Sequence, residues 1–497
     1  MIIMPPSRST TNEYEEIAKI REKFLTRENF PQFIESVKVD GLRGWKGEQV
    51  LFKFPIVAIA GENGSGKSTV LKATACGYRN KAEDGNYYPS DFFLETFWDN
   101  IEGVTLSYQI RLGSEVRSFK ITKATERWRP SKNKINRYVW FFDVARLLPI
   151  EATIGYAKVA KSTASEISDS EISEEFRGFY SFIMGHDYTN ARFATSNIST
   201  KHKVGVLERE FGEVSQFHQG AGESTTLDLF RSLQNVPDYS LIIIDEIEGS
   251  LHPRAQRRVI RFLLNLCRVK KLQIILSTHS PYILQELPPE GRILLMPERS
   301  GINVLYGISP EFALSRIDEK DHPELFVYVE DRESGNWLRE IISSDTENSE
   351  LLSRIYIQSV GPANAVQLLG KLSFENRLPN PSIAFVDGDQ DESQGCYKLP
   401  GDQCPESVVY NDLKVRNYPN LPERFGIGAG TLFTIIDDAM LDPDPHNWNK
   451  LVGDKIRKSS ASVWDTLAQV WCTECLSSGE RDRITSTILS RIPIHGT

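Results

Sequence analysis

The sequence has few cysteines, no long apolar run and no excess of positive charge. Six cysteines in 497 residues are too few for a disulfide framework and favour a reducing compartment. No apolar run reaches the roughly 18 residues that a membrane-spanning helix needs, and the first residues lack the charge pattern of a secretory signal. We therefore expect a cytoplasmic protein with no membrane segment.

The charge balance excludes one class of protein. A formal net charge of −9 argues against a protein that coats nucleic acid through bulk positive charge, although it is compatible with a local basic groove. Arg127–Arg137 is a local basic segment, because it carries five basic residues, no acidic ones and one tryptophan. It predicts either a contact with DNA or a solvated hairpin tip.

Apolar residues make up 40% of the chain and charged residues 25%, which is typical of a globular protein. The length predicts about two to four domains. The rhythm of strands and helices changes around residues 306–323, and the end of the chain is mostly helical. We therefore predict domains at 1–315, 324–420 and 421–497.

A glycine-rich loop follows the buried strand pattern Ile56–Ala60 and matches G-x-x-x-x-G-K-[ST]. Glycines in such a loop let backbone N–H groups surround phosphate oxygens, and the helix that follows directs its positive end at them. The lysine adds a charge at the β- and γ-phosphates, and the serine offers a hydroxyl to Mg²⁺. The pattern predicts an ATP site formed by Gly61, Asn63, Gly64, Gly66, Lys67, Ser68 and Thr69.

Two further apolar runs end in polar residues that suit the hydrolysis of ATP. Leu241–Ile244 is followed by Asp245 and Glu246, which is the pattern of a Walker B strand. Asp245 is predicted to support Mg²⁺ and Glu246 to polarise the attacking water. A third run ends just before His279, which we place at the γ-phosphate.

The order of these elements resembles that of ABC-type ATPases. Gly220 and Gly222 stand at the position of the signature motif, although Gln219–Glu223 differs from L-S-G-G-Q. The resemblance implies an ABC- or SMC-like head, in which each phosphate loop faces the signature of a second subunit. It therefore implies that Gly220 and Gly222 bind nucleotide and that the ATPase heads form a homo-oligomer, either a dimer or a tetramer.

The rest of the first domain is predicted to be mixed. Residues 101–142 alternate between apolar and polar side chains and predict antiparallel strands, including one at Tyr138–Phe142. Residues from about 158 to 200 begin rich in serine and glutamate and then read as helical, which predicts a helical insertion. The predicted fold class is α/β.

A second candidate site lies in residues 324–420, where strand and helix patterns alternate and predict a small parallel sheet. Glu330 follows the first strand of this unit, and Asp387 and Asp389 follow the third. The carboxyl ends of parallel strands are where α/β sheets place their sites. Carboxylates there can hold Mg²⁺ or Mn²⁺, and a metal pair can clamp a phosphodiester and activate water.

This second pattern resembles a Toprim domain, the Glu…Asp-x-Asp module of topoisomerases and primases. The resemblance implies that Glu330 is a metal ligand or a general acid/base and that Asp387 and Asp389 are metal ligands. An ABC-type ATPase followed by Toprim is similar to the OLD (overcoming lysogenization defect) family, which includes ATP-dependent DNA nucleases and the Gabija A component. Several retron-linked defence ATPases look similar.

The OLD resemblance covers residues from about 34 to about 475. It implies an ATP-regulated DNA endonuclease that requires Mg²⁺ or Mn²⁺ and acts in bacterial defence against phages. DNA is the implied substrate, and a further defence protein or a retron is the implied partner. The mostly helical segment after residue 420 fits the ending of such proteins.

The first Toprim motif departs from the family pattern, which continues with a glycine and, three residues later, an aspartate. Asp331 and Ser334 stand at those positions, and Glu333 or Asp391 would have to supply the missing carboxylate. Two hypotheses stay open. The chain is an active endonuclease, or it is an ATPase sensor or scaffold whose inactive Toprim unit controls a separate effector nuclease or toxin.

Overall fold

The computed structural model of the chain divides into two compact units, Met1–Glu319 with His495–Thr497, and Lys320–Ile494. The described residues are 13–492, apart from 27–28, 83–84, 99–100, 149, 151–165, 197–198, 300, 319–321 and 349. Within these described residues, no helix combines the length and the apolar character that crossing a membrane requires.

The first unit contains sixteen described strands: β1 (Gln32–Leu42), β2 (Trp45–Leu51), β3 (Ile56–Gly61), β4 (Tyr78–Asn80), β5 (Val104–Leu112), β6 (Glu115–Lys123), β7 (Ile135–Arg137), β8 (Val139–Phe142), β9 (Glu166–Glu171), β10 (Asn190–Ser196), β11 (Ser199–Arg209), β12 (Gly212–Ser215), β13 (Leu241–Ile244), β14 (Gln273–Thr278), β15 (Arg292–Glu298) and β16 (Gly301–Tyr306). They form a six-stranded sheet in the order β16-β15-β3-β14-β13-β8, two four-stranded sheets, β2-β1-β5-β6 and β12-β11-β10-β9, and the pair β4-β7.

The described helices of this unit are α1 (Glu13–Leu25), α2 (Lys67–Ala75), α3 (Pro89–Phe92), α4 (Glu174–Met184), α5 (Ala221–Gln234), α6 (Pro253–Lys270), α7 (Pro281–Gln285) and α8 (Pro310–Ile317). In the six-stranded sheet all strands but β16 run parallel. Strands β3, β13 and β14 are buried along their whole length, as expected of a parallel sheet covered on both faces. Their carboxyl ends therefore meet at one edge of the sheet.

The prediction of antiparallel strands in residues 101–142 is correct for β5 and β6 and wrong for β8. Strand β8 pairs in parallel with β13, with Phe142 opposite Ile244. Alternation of side chains reveals a strand but not its neighbour, and β8 joins the central sheet through a partner about a hundred residues away in sequence. This pairing places the residues after Phe142 at the edge where β13 ends.

The predicted helical insertion at about 158–200 is only partly helical. Helix α4 lies inside it, but β9 and β10 flank that helix and belong to the antiparallel sheet completed by β11 and β12. Buried Ala191 and Phe193 alternate with partly exposed side chains, which is the period of a strand and was overlooked in a polar segment. The part of the prediction on residues 158–165 lies outside the described residues.

The second unit is built on four strands, β17 (Leu325–Val329), β18 (Ile355–Ser359), β19 (Ser382–Val386) and β20 (Cys396–Lys398), in the order β18-β17-β19-β20. The pairings of β17 with β18 and β19 are parallel, as predicted, and β20, which was not predicted, adds a third parallel pairing. Its described helices are α9 (Arg332–Ser343), α10 (Leu351–Arg354), α11 (Ala363–Phe374), α12 (Pro405–Val415), α13 (Leu421–Phe425), α14 (Ala429–Ala439), α15 (Trp448–Ile456), α16 (Ser460–Glu474) and α17 (Ser478–Arg491).

The helices after residue 420 share a core with this sheet. The rings of Trp337 on α9 and Trp471 on α16 are both buried, with their centroids 4.9 Å apart. The indole nitrogen of Trp464 donates a hydrogen bond to the carbonyl of Glu333 at 2.9 Å. The helical end of the chain is therefore an integral part of the second unit.

Candidate functional site

The phosphate loop connects β3 to α2 in the conformation that its glycines allow. Gly64 and Gly66 have φ angles of 81° and 95°, in the left-handed region that favours glycine. A Cβ atom on Gly66 would lie 2.6 Å from the indole nitrogen of Trp45, so a larger residue does not fit. The Lys67 ammonium donates hydrogen bonds to the carbonyls of Gly61 at 2.9 Å and Glu62 at 2.8 Å.

The other predicted residues of this loop lie where an anion at the start of α2 can reach them. Ser68 and Thr69 are in the first turn of α2, whose backbone N–H groups and dipole favour negative charge. Asn63 is on the exposed side of the loop. The structure thus brings together the seven residues predicted to bind ATP in one strand–loop–helix unit.

The predicted Walker B residues lie close enough to this loop to affect the pKa of Lys67. Burial lowers the pKa of the Lys67 ammonium, and the carboxylates of Asp245, Glu246 and Glu248 partly oppose that shift. Lys67 is only 6% exposed, and its ammonium is held by the two loop carbonyls within the field of these carboxylates. A lysine ammonium at the start of a helix can bind phosphate oxygens, and the nearby carboxylates can support the Mg²⁺ that accompanies them.

Ser277, at the end of β14, organises the turn after β13. Its hydroxyl donates a hydrogen bond to Oδ1 of Asp245 and accepts one from the backbone N–H of Glu246 at 2.8 Å. Glu246 has a φ of 48°, a left-handed conformation that is costly for a residue with a side chain. The sequence analysis missed Ser277, although its position at the end of the third apolar run was the available signal.

His279 lies beyond the end of β14 and is tied to the same turn. Its backbone N–H donates to the side chain of Glu248. Burial lowers the pKa of the imidazole, and the nearby Lys67 ammonium lowers it further against the opposing carboxylates. The neutral form is therefore favoured, and in that form one ring nitrogen can donate and the other accept a hydrogen bond.

Gly220 and Gly222 lie at the start of α5, against the turn after β13. Gly220 is the N-cap residue of α5, and the side chain of Glu223 accepts a hydrogen bond from its backbone N–H at 3.3 Å. A Cβ atom on Gly222 would lie 2.4 Å from the carbonyl of Ser250, so glycine is needed for this close approach. Within one chain, the structure thus places the predicted signature beside the segment that follows Walker B.

The second candidate site is formed at the carboxyl ends of β17 and β19. Oε1 of Glu330 accepts a hydrogen bond from the backbone N–H of Asp387 at 2.9 Å. Gly388 packs tightly, because a Cβ atom there would lie 2.7 Å from the carbonyl of Gly401. Asp389 follows on the exposed side. The three predicted carboxylates therefore belong to one edge, but only Asp387 is deeply buried.

Asp331 and Ser334, which differ from the predicted motif, form hydrogen bonds beside Asp387. Asp331 caps α9, since its Oδ1 accepts a hydrogen bond from the backbone N–H of Ser334 at 2.8 Å and lies 2.9 Å from the Ser334 hydroxyl oxygen. The Ser334 hydroxyl also lies 2.7 Å from Oδ1 of Asp387. Ser334 therefore links the carboxylate segment after β17 to the one after β19.

Negative charge is crowded at this edge. Burial raises the pKa of the Asp387 carboxyl to about 8; the hydrogen bond from Ser334 opposes this, whereas Glu330, Asp331 and Glu406 add to it. The pKa of Glu330 is also raised, mainly by burial. Carboxyl groups with such shifts accept either a proton or a cation.

Glu406 and His446 extend this edge and were missed by the sequence analysis. Oε1 of Glu406 lies 3.1 Å from Nδ1 of His446, and Oε2 is buried without a hydrogen-bond partner. Burial raises the pKa of Glu406, while the same carboxylate raises the pKa of His446 against the effect of burial. In the sequence, both residues directly follow a proline, Pro405 and Pro445, in the segment after β20, but nothing in that pattern predicts that they meet.

The donors at the second edge suit a hard divalent cation, but they are not assembled into a cage. Carboxylate and hydroxyl oxygens are the ligands that Mg²⁺ and Mn²⁺ prefer, and the unpartnered oxygen of Glu406 is one further acceptor. In the described part of the chain, however, no three His, Cys, Asp or Glu side chains are grouped so that they could hold a metal ion. A cation would have to draw these side chains together.

The basic segment Arg127–Arg137 is partly structural. Arg137 is buried, and its guanidinium donates to the Tyr78 hydroxyl at 3.0 Å and to the Gln273 side chain at 2.9 Å. Burial lowers the pKa of Lys134. Arg137 therefore stabilises the junction of β7 with the central sheet and is not available to DNA.

Part of the first unit matches a known protein family. Residues 56–285 match the family model described as "AAA domain, putative AbiEii toxin, Type IV TA system". This range contains the phosphate loop, the Walker B turn and His279. The match covers less than half of the chain, and it supports the prediction that the first unit binds ATP.

The chain is also similar to curated proteins over part of its length. The chain is 23% identical over 320 residues to the Septu protein PtuA of Bacillus mycoides (strain KBAB4), covering 58% of this chain and 43% of that protein. It is 33% identical over 103 residues to the Retron Vc95 probable ATPase of Vibrio cholerae serotype O1 biovar El Tor, covering 18% of this chain and 20% of that protein. The chain thus spans less than half the length of these relatives.

Among solved structures, the chain is similar to the SMC head domain from Thermotoga maritima, with 12% identity and a TM-score of 0.32 over 55% of this chain and 98% of that one. The ABC- or SMC-like arrangement of the head and the OLD and Toprim assignments of the whole chain stay predictions.

Proposed function

We propose that the protein is an ATP-hydrolysing component of bacterial defence against phages, with a divalent-metal-dependent DNA endonuclease site in its second unit. The similarity to a Septu protein and to a retron ATPase supports the defence setting. The observation that carries the ATPase part is the buried Lys67 ammonium, which lies in the field of Asp245, Glu246 and Glu248 at one edge of the central sheet.

In the ATPase reaction, the glycines of the phosphate loop and Lys67 bind the β- and γ-phosphates. Ser68 and Asp245 would hold Mg²⁺, which neutralises phosphate charge when bound. Glu246 orients the attacking water, and His279 contacts the γ-phosphate. Gly220 and Gly222 bind the nucleotide of a second subunit, so that ATP favours association of the heads.

In the second unit, Glu330, Asp387 and Asp389 would hold Mg²⁺ or Mn²⁺, and a bound ion supplies a Lewis acid for phosphodiester hydrolysis. The support is electrostatic: Asp387 is buried among other carboxylates, and its raised pKa expresses the cost of that crowding. Ser334 orients Asp387 through its hydroxyl, and Glu330 is oriented by the backbone N–H of Asp387.

Cleavage of supercoiled and linear DNA tests this proposal directly. Reactions contain Mg²⁺ or Mn²⁺, with and without ATP, and compare the wild type with Glu330→Ala and Lys67→Ala. Glu375→Ala, which removes an exposed carboxylate of the same unit, is the matched control. We expect cleavage to be lost in Glu330→Ala and retained in Glu375→Ala, and Lys67→Ala to reveal whether ATP activates or restrains cleavage.

A second candidate function is an ATPase sensor or scaffold that controls a separate effector nuclease or toxin. It is favoured by the Ser334 hydroxyl, which occupies one oxygen of Asp387, and by the lack of a three-residue metal group among the described residues. Intact DNA in every reaction, together with ATP hydrolysis that is lost only in Lys67→Ala, would replace the nuclease proposal with this one.

A further inference from the structure

A short 3₁₀ turn, Val144–Leu147, follows β8 and packs against the turn after β13. The Arg146 guanidinium donates hydrogen bonds through Nη2 to the carbonyl of Asp245 at 3.0 Å and to the carbonyl of Glu246 at 2.7 Å. Leu147 reinforces the contact, because a Cβ atom on Gly249 would lie 2.4 Å from its side chain. The turn is thus attached to the backbone that carries the Walker B residues.

The backbone that Arg146 holds is in an unfavourable conformation. Glu246 has a φ of 48° and Ser250 a φ of 64°, and both residues carry side chains. Such conformations persist only where the surroundings impose them. Ser277 binds the N–H of Glu246, and Arg146 binds its carbonyl, so that the peptide groups on both sides of this Cα are fixed.

The charge of Arg146 matches its surroundings. Burial lowers the pKa of the guanidinium, whereas the carboxylates of Glu248, Asp245, Asp143 and Glu246 raise it, and a guanidinium remains charged in proteins. Its Nε and Oε2 of Glu248 are both buried without a hydrogen-bond partner. Arg146 is therefore a second cation, besides Lys67, that compensates this acidic turn.

We propose that Arg146 is a positioning residue for ATP hydrolysis. It holds the peptides at 245–246 so that the Glu246 carboxylate is presented to the attacking water, and it does not itself touch ATP. This inference rests on the proposed role of Glu246. Both bonds come from Nη2 of a rigid, planar guanidinium, and the ammonium of lysine, on a more flexible stem, does not fix a donor at this place in the same way. The predicted consequence is a loss in kcat with ATP binding unchanged.

The test measures kcat for ATP hydrolysis and the Kd of a fluorescent ATP analogue. In Arg146→Ala we expect kcat to fall about 10- to 100-fold while Kd stays within about twofold of the wild type. Added methylguanidine should restore part of the rate, which a merely structural role would not predict. Arg177→Ala, which removes a guanidinium bonded to the carbonyl of Thr189, is the matched control and should keep the wild-type kcat.

Two further variants make the outcome decisive. Arg146→Lys retains the charge and the stem and should show an intermediate kcat, so it decides the question if the alanine variant fails to fold. Glu246→Gln tests the premise: if it leaves kcat unchanged, the proposed role of Glu246 fails. Two results would overturn the inference about Arg146 while leaving the role of Glu246 intact. One is a large loss of kcat in Glu246→Gln with wild-type kcat in both Arg146 variants. The other is a raised Kd for the ATP analogue with unchanged kcat in the Arg146 variants.

Discussion

The two candidate sites lie at equivalent positions in their sheets but differ in how their charges are compensated. In the first unit, the carboxylates after β13 are near two cations, the buried Lys67 and the half-buried Arg146. In the second unit, the carboxylates after β17 and β19 have His446 as their one nearby cationic partner among the groups that shift their pKa values. The first edge offers cations beside its carboxylates, one of them in the phosphate loop, whereas the second is mostly negative, and a bound cation would relieve that charge.

The largest effect is expected from removing the buried cation of the first site. Lys67→Ala should lower ATP hydrolysis by about 100-fold or more, because the lysine charge acts on the phosphates in a site shielded from water. A phosphate-release assay measures the rate. Lys72→Ala, in the same helix, is the control and should retain activity. Equal losses in both variants would indicate damage to α2 and not loss of a phosphate contact.

The surplus charge of the second site should appear as a pH dependence of stability. The pKa of Asp387 is about 8 in the folded protein, above its value of about 3.9 in an unfolded chain, so the folded state binds the extra proton between these values. In EDTA, the free energy of unfolding of the second unit should therefore fall as pH rises from about 4 to 8. Each pKa unit of separation corresponds to about 1.4 kcal/mol.

Urea unfolding of Asp387→Asn measures this contribution. The asparagine cannot ionise, so the variant should lose less stability than the wild type over the same pH range. Asp402→Asn removes an exposed carboxylate and should follow the wild type. If the free energy of unfolding changed with pH by the same amount in Asp387→Asn and in the wild type, the raised pKa of Asp387 would be contradicted.

A smaller effect is expected from the tight packing that holds the acidic loop. Gly388→Ala would bring a Cβ atom to 2.7 Å from the carbonyl of Gly401 and 2.8 Å from that of Gln403, both of them backbone atoms. We expect a destabilisation of about 1–3 kcal/mol, measured by urea unfolding. Gly430→Ala is the control, since nothing lies within 4 Å of its added atom. An unchanged stability in Gly388→Ala would show that the loop does not need this close approach.

The parts of both sites that sequence could predict are local. The phosphate loop, Asp245 and Glu246 each follow an apolar run directly, so a short pattern specifies both the strand and the residues at its end. The same is true of Glu330 and of Asp387. In each case the parallel sheet brings the strand ends together, and a parallel sheet is predictable from the alternation of strands and helices.

The residues that sequence missed act across long separations. Arg146 is 99 residues from Asp245 and reaches it only because β8 pairs with β13, a pairing that alternation does not determine. Glu406 and His446 are 40 residues apart and meet through the packing of the helices after β20. The helical prediction for 158–200 failed for a different reason. The pairing of β10 with β11 is local, but the period-two pattern lies in a segment of polar composition and was not recognised as a strand.

Binding of a divalent cation at the second edge is central to the proposed nuclease function. A Mn²⁺ titration followed by electron paramagnetic resonance, without nucleotide, tests it on the wild type, Lys67→Ala and Asp387→Asn. We expect the wild type and Lys67→Ala to bind Mn²⁺ with equal affinity, and Asp387→Asn to bind it at least about tenfold more weakly. Equal binding by all three proteins, or no binding by the wild type, would contradict the proposed metal site.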